Sequence, residues 1–142
     1  MMDKQQKTLG IIKPDAVKRN KVGEIISKIE KNNFKIVAIK TVHLNYEQAK
    51  SFYEEHTGKP FFNNLIEYMV SDQIYVFVLT GPEVVNQFRA LIGKTNPSEA
   101  ALGTIRAEFG INNTENSIHG SDSEHSAEQE IAFFFSKPEI IS

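Results

Sequence analysis

The stretch Ile74-Tyr75-Val76-Phe77-Val78-Leu79 is an unbroken apolar run of six residues. It has no polar face and is short, so it predicts a central strand covered on one face or on both. The elements around it follow from this strand. Upstream, Asn45 with Gln48 three residues on is a capping-box pattern that opens a helix carrying Ala49, Phe52 and Tyr53. Thr57-Gly58-Lys59-Pro60 breaks that helix, and Phe61, Phe62, Leu65, Ile66 and Met69 mark a second one, giving a helical hairpin. Phe34 to Leu44 reads as a strand, and Val22 to Asn32 as a helix with Val22, Ile25, Ile26 and Ile29 on its core face. Leu9 to Ile12 reads as a buried strand that stops at Lys13-Pro14-Asp15.

Downstream, Gly81-Pro82-Glu83 predicts a helix start with proline at the first helical position. Val84, Val85, Phe88, Leu91 and Ile92 form its stripe, with Arg89 at the edge. From Gly93 to Ser123 the periodicity weakens, with short helical turns expected at Ser98 to Ala101 and Ile105 to Phe109. Ser126 with Gln129 predicts a capped turn, and Ile131 to Phe135 predicts the last strand, with Glu130 at its mouth. The tail from Ser136 to Ser142 is expected to pack on the surface or on a partner. Without the hairpin the order is β-α-β-β-α-β, an α+β ferredoxin-like split arrangement. Its four-stranded antiparallel sheet has helices on one face, a helical hairpin insertion and a long loop before the last strand. A small doubly wound sheet is the alternative, but no glycine fingerprint accompanies it.

The chain of 142 residues fits a single domain, 1–142, and is long enough to bury a core. A net charge of −2 gives no broad basic field, which argues against nucleic acid as the main partner. Zero cysteines exclude disulfides, thiolate catalysis and cysteine-bound metals, and suit a reducing, cytoplasmic setting. Met1 to Lys7 is polar, without the apolar run of a signal peptide, and no segment has the length to span a bilayer.

The long, weakly periodic segment concentrates reactive groups. Thr95, Asn96, Arg106, Asn116, His119 and Ser121 all lie in it, and long irregular segments in compact domains are usually functional or disordered. The run Asn116-Ser117-Ile118-His119-Gly120-Ser121-Asp122-Ser123 is small and polar around one imidazole. The glycine predicts room for a substrate to approach the ring, and free imidazole is a competent nucleophile near neutral pH. A lone histidine in such a loop is more often simply solvated, so its neighbours decide. Gly93-Lys94-Thr95 is not a P-loop, because the required first glycine falls on Phe88. Phosphate would then be held by side chains, and Lys13, Arg89 and Arg106 are the candidates. His43, His56 and His125 have no ligand spacing to His119 and Asp122, so a metal site made by the protein alone is not expected.

Taken together, Lys13-Pro14-Asp15, Pro60-Phe61-Phe62, Thr95-Asn96-Pro97, Gly103-Thr104-Ile105-Arg106 and the stretch from Asn116 to Ser123 resemble the nucleoside diphosphate kinase family. The resemblance runs from about Thr8 to Phe135 in the family's order, and the short tail is similar to the bacterial branch. It implies a phosphotransferase that moves the γ-phosphate of a nucleoside triphosphate, typically ATP, to a nucleoside diphosphate in a ping-pong reaction. His119 would be the nucleophile, phosphorylated on its pros nitrogen by resemblance, although the sequence does not say which nitrogen attacks. Ser121 and Glu130 would support it, and Lys13 would serve the transferring phosphate. Lys13, Tyr53, Phe61, Arg89, Thr95, Arg106 and Asn116 would bind nucleotide, with Phe61 stacking on the base. Such stacking serves any base, so broad base tolerance is expected. Mg²⁺ would ride on the nucleotide phosphates. The resemblance also implies a cytoplasmic homo-oligomer, a tetramer or hexamer, with no membrane partner. Ala16, Lys59 and Lys94 depart from the family's usual residues without removing a catalytic group. A single-strand-binding module and a protein-phosphohistidine carrier are the rival readings, and neither needs the nucleotide clamp.

Overall fold

The computed structural model describes residues 5–141. Met1–Lys4, the start of the polar N-terminal stretch, and Ser142 lie outside the described residues. In chain order the elements are β1 (Gln5–Ile12), α1 (Pro14–Lys18), α2 (Val22–Lys31), β2 (Lys35–Val42), α3 (Tyr46–Phe52), α4 (Phe62–Met69), β3 (Ile74–Pro82), α5 (Val84–Ile92), α6 (Ile105–Phe109), β4 (Ile118–Gly120) and α7 (Glu124–Phe134). Short 3₁₀ turns cover Glu54–His56, Pro97–Glu99 and Lys137–Glu139. The strands form one antiparallel sheet in the order β2-β3-β1-β4.

The apolar run in β3 is continuous because both faces of the sheet are covered. Ile74, Val76 and Val78 join Leu9, Ile11 and the hairpin residues Leu65, Ile66 and Met69 in one cluster. Phe77 and Leu79 point the other way, into a cluster with Ile25 and Ile29 of α2 and Phe88 and Ile92 of α5. Alternating side chains thus feed two cores. Each fully buried side chain of this size contributes about 1.5–3 kcal/mol. The two helices of the split arrangement, α2 and α5, lie on one face as expected. The hairpin and α7 close the other. Gly10 makes this packing possible in β1, because a Cβ there would lie 2.2 Å from the Phe77 ring.

Local signals set several ends. Asn45 Oδ1 accepts from Gln48 N at 2.8 Å and Gln48 Oε1 accepts from Asn45 N at 2.9 Å, the reciprocal capping box that starts α3. Pro14 sits at the head of α1, where its missing N–H costs nothing. The expected helix start at Gly81-Pro82-Glu83 is displaced: Pro82 is still paired in β3, opposite Gln5. Glu83 takes a left-handed conformation, φ +49°, and α5 begins after it.

The last strand is not where the sequence pattern puts it. Ile131 to Phe134 belong to helix α7, which Ser123 caps by accepting from Ser126 N at 3.0 Å. Ala127, Ile131 and Phe134 recur at helical spacing; Ala127 is buried, and Ile131 and Phe134 pack into the core against the sheet. The closing strand is instead the three residues Ile118–Gly120, paired antiparallel to Gly10–Ile12. Glu130 therefore stands on a helix, not at a strand mouth. His43, expected within a strand, lies just past the end of β2 and bonds to Val70 O at 2.9 Å. The C-terminal tail runs along the edge strand β2: Ile141 N donates to Val37 O at 3.1 Å and Glu139 pairs with Lys40 at 3.0 Å.

Candidate active site

Strand β4 carries His119 beside β1, opposite Ile11. The imidazole is partly buried, with 21% of its side chain exposed. Its Nε2 lies 2.7 Å from Glu130 Oε1. The same carboxylate oxygen accepts from Ser121 Oγ at 2.7 Å. Ser121 is anchored in turn, because its Oγ accepts from Leu9 N at 3.3 Å and its N donates to Leu9 O at 3.2 Å. Phe52 of α3 packs edge-on against the imidazole, with centroids 5.8 Å apart. A carboxylate oxygen accepts hydrogen bonds, so in the neutral ring the proton sits on Nε2 and Nδ1 carries the lone pair. A charge-assisted bond of this length and kind orients the ring firmly.

Gly120 does a different task from the one its position suggests. A Cβ there would lie 2.6 Å from Ile92 Cδ1 and 3.0 Å from Phe88 Cδ2. The absent side chain therefore makes room for the α5 core, not for a substrate. His119 and Gly120 point to opposite faces, as successive strand residues must.

Cationic groups cluster around this strand. Arg106 Nη2 donates to Ile118 O at 2.9 Å and Nη1 to Gly93 O at 3.2 Å. Arg89 Nη1 donates to Gly120 O at 3.3 Å. The carbonyls on either side of His119 are thus each held by an arginine. Burial, then the neighbouring Arg89, brings the Arg106 guanidinium down to about 10, which leaves it charged at neutral pH. Lys13 is buried at the end of β1 and is not the solvated strand terminus a lone lysine there would suggest. Its Nζ donates to Asn116 Oδ1 at 2.9 Å, and Asn116 Nδ2 reaches Asn113 O at 2.9 Å and Thr95 O at 3.3 Å. Burial, with a further push from Arg106, lowers the Lys13 amine to about 7.

Among the described residues, the buried Tyr53 hydroxyl and Arg106 Nε have no partner. Orphan polar groups of this kind cost free energy unless something fills them. Burial, then the Glu130 charge, pushes the Tyr53 phenol up, so it remains an O–H donor. Beside these groups opens a cleft of about 880 Å³ lined by Phe61, Arg89, Lys94, Thr95, Asn96 and Glu99, among others. That is the size of a small-molecule site. Phe61 is 44% exposed at its wall, and Lys59 Nζ stands 5.8 Å from its ring.

The residues expected to act in catalysis or nucleotide binding lie near one another here. Lys13, Tyr53, Arg89, Arg106, Asn116, Ser121 and Glu130 surround the strand of His119, and Phe61 and Thr95 line the cleft next to it. Sequence reasoning missed Asp15 and Ser117, both buried behind the strand, and the ring contact from Phe52. Asp15 stands in a quoted motif, but its burial depends on distant partners. Chemically, the arrangement holds one imidazole by a carboxylate on a strand whose flanking carbonyls carry arginines, which suits transfer of a negatively charged phosphoryl group.

Comparison with known proteins agrees. The family model for nucleoside diphosphate kinase matches residues 6–140. Curated nucleoside diphosphate kinases of Histophilus somni (strain 2336) and Glaesserella parasuis serovar 5 (strain SH0165) are each 53% identical. The first alignment covers 95% of this chain and 96% of the relative, the second 96% and 99%. A crystal form of the Aquifex aeolicus nucleoside diphosphate kinase superposes with a TM-score of 0.94 at 39% identity, covering 97% of this chain and all of that one. The apo enzyme of Encephalitozoon cuniculi gives 0.92 at 35% identity, covering 96% and 93%. By sequence model, by near-full-length identity and by fold, the chain belongs to the nucleoside diphosphate kinase family of phosphotransferases.

Proposed function

We propose that His119 carries the nucleoside diphosphate kinase reaction of this chain, with Nδ1 as the attacking nitrogen. The 2.7 Å contact between Nε2 and Glu130 carries the assignment, because it leaves only Nδ1 with a lone pair. In the first half-reaction Nδ1 forms a bond to the γ-phosphorus of a nucleoside triphosphate. The bond from that phosphorus to the bridging oxygen breaks, and the nucleoside diphosphate leaves with the electron pair. In the second half a β-phosphate oxygen of another nucleoside diphosphate attacks the phosphorus, and the P–N electrons return to Nδ1. Glu130 stabilises the positive charge that the ring gains on attack, and Ser121 fixes the carboxylate.

Lys13, Arg89 and Arg106 supply charge to the phosphoryl oxygens, and Asn116 and Thr95 supply polar contacts. The Tyr53 hydroxyl and Arg106 Nε are buried donors without a partner among the described residues, and a nucleotide would reach them only if their neighbours shifted. Phe61 offers a face to the base without reading its edge, which supports acceptance of purines and pyrimidines alike. The donors of this cleft suit phosphate oxygens better than a bare metal ion, so the substrate is the nucleotide with its own Mg²⁺. That ion neutralises part of the phosphate charge.

The same reading includes a single domain over 1–142, a cytoplasmic setting and a homo-oligomer, tetramer or hexamer. Leu102 at 99% exposed and Ile111 at 54%, both on the segment between α5 and β4, support an assembly surface. No helix among the described residues is long and apolar enough to cross a membrane. The test is brief exposure to magnesium and γ-labelled ATP, followed by GDP. Label should appear on His119, with the ³¹P signature of an Nδ1 phosphohistidine, and then pass to GTP. Label on another residue, or transfer that survives His119→Ala, overturns the assignment.

A further inference from the structure

The backbone just before the His119 strand is strained. Ser117 adopts φ +73°, a left-handed conformation that side chains other than glycine seldom take. Ile118 N donates to Asn116 O at 2.9 Å, closing a three-residue turn around Ser117. Turns of this hand are rare and need support from outside. This one joins two parts of the site. Asn116, on one side, holds the Lys13 ammonium, and strand β4 with His119 begins on the other.

The support comes from Asp15. Its Oδ1 accepts from Ser117 N at 3.1 Å and its Oδ2 from Ser117 Oγ at 2.7 Å. Lys13 N, two residues earlier, donates to Ser117 O at 2.9 Å, so the turn is held by one short segment on both of its peptide groups. Asp15 is 3% exposed and is itself held. Arg19 Nη2 donates to Oδ2 at 2.9 Å, and the Tyr68 hydroxyl donates to Oδ1. Burial and the Asp15 carboxylate push the Tyr68 phenol up, which keeps it a donor. With four donors on its two oxygens, Asp15 has no capacity left for a nucleotide.

We propose that Asp15 is a positioning residue for phosphoryl transfer, which holds the Ser117 turn and thereby sets His119 against the Lys13–Asn116 pair. The proposal rests on His119 as nucleophile. Misplacement of reacting groups by about 1 Å can cost a hundredfold in rate, so a change confined to this buried bracket should be visible in chemistry.

The experiment is single-turnover phosphorylation of His119 by magnesium ATP, read by mass spectrometry, alongside thermal unfolding. An Asn at position 15 offers one acceptor oxygen in place of two, so Asp15→Asn should slow phosphorylation by about tenfold or more. Adding Ser117→Gly should return most of that rate, because glycine takes the positive φ without steric cost. It should not return thermal stability, since glycine also loosens the unfolded chain. Rate and stability moving apart in this way is the mark of positioning. If Asp15→Asn does not fold, Ser117→Ala, which removes only the hydroxyl, should slow the step about threefold or more. The proposal is overturned if a folded Asp15→Asn labels His119 at the parent rate, or if the glycine variant changes rate only in step with stability. It is also overturned if Ser117→Ala labels at the parent rate. A parent chain that takes no phosphoryl group on His119 would instead sink the underlying site assignment.

Discussion

His119 Nε2 and Glu130 Oε1 meet at 2.7 Å although one side chain leaves the short strand β4 and the other leaves helix α7. The contact sets the tautomer of the neutral ring and, on the proposed mechanism, would supply a counter-charge to the phosphorylated ring. Charge-assisted hydrogen bonds contribute about 1.5–3 kcal/mol, or roughly tenfold to a hundredfold in rate if lost in the transition state. Glu130→Gln should therefore slow phosphorylation of His119 by about that factor while leaving ATP affinity nearly unchanged. Rapid-quench kinetics with the magnesium nucleotide measures both. A loss confined to affinity would mean that Glu130 serves nucleotide binding instead.

If Lys13 meets the triphosphate as proposed, nucleotide binding is a proton-coupled event. Burial, and then Arg106, hold its amine down to about 7 from an ordinary 10.5. Below that value the free protein already carries the ammonium; above it the amine is largely neutral. A triphosphate favours the ammonium, so binding should draw in little proton at about pH 6 and close to one at about pH 8. Apparent affinity should weaken as pH rises beyond 7. Titration calorimetry in buffers of different ionisation heat reads the uptake directly. Lys13→Arg, which stays charged throughout, should abolish it. The unliganded fold responds in a related way. Between about pH 7 and 10.5 the unfolded chain binds more protons at this lysine than the folded one, so Lys13's share of stability rises with pH across that window.

Much of the fold is legible locally because local physics decides it. The Ile74–Leu79 run is central because it has no polar face, and the Asn45–Gln48 box starts α3 by bonds within four residues. The C-terminal end is not legible in this way. Phe133-Phe134-Phe135 after Ile131 imitates a strand, yet Ala127, Ile131 and Phe134 lie on one helical face, which turns Ile131 and Phe134 into the core. Ile118-His119-Gly120 has no strand pattern of its own and is extended because β1 offers it an open edge. The site divides similarly. Its exposed and cationic members stand out by motif, whereas the burial of Asp15 and the turn at Ser117 depend on residues 53 to 102 positions away.

Arg106 braces the strand of His119 besides its proposed charge role. Its guanidinium spans the carbonyls of Gly93 and Ile118, and so ties the loop after α5 to the strand of His119. Arg106→Ala leaves both acceptors without their partner, at about 1–3 kcal/mol of stability, and removes a phosphate donor. We expect a raised KM for nucleotide together with a lower thermal midpoint. Arg106→Lys should restore little of either, because one ammonium cannot reach two divergent carbonyls with planar geometry. Thermal unfolding and steady-state kinetics on the same preparations test the pairing, and an alanine variant of unchanged stability would remove the bracing role.

Gly120 distinguishes two explanations of why a glycine follows the histidine. If its role were to let substrate reach the ring, Gly120→Ala would impair nucleotide use in a protein of normal stability. The geometry points the other way: the new methyl would meet Phe88 and Ile92 on the face opposite His119. Overpacking of this kind costs about 1–3 kcal/mol as side chains or backbone give way. Ile92 can yield at its terminal carbon, but the Phe88 ring is itself wedged against Phe34 and Phe77, with centroids 5.7 and 5.9 Å away. Part of the displacement must therefore pass into β4, which is three residues long and, among the described residues, has only β1 as a neighbour in the sheet. Gly120→Ala should lower the thermal midpoint first and slow His119 phosphorylation as a consequence. Trimming the contact with Ile92→Val in the same chain should recover both together, and recovery of neither would show that the methyl acts on the substrate side after all.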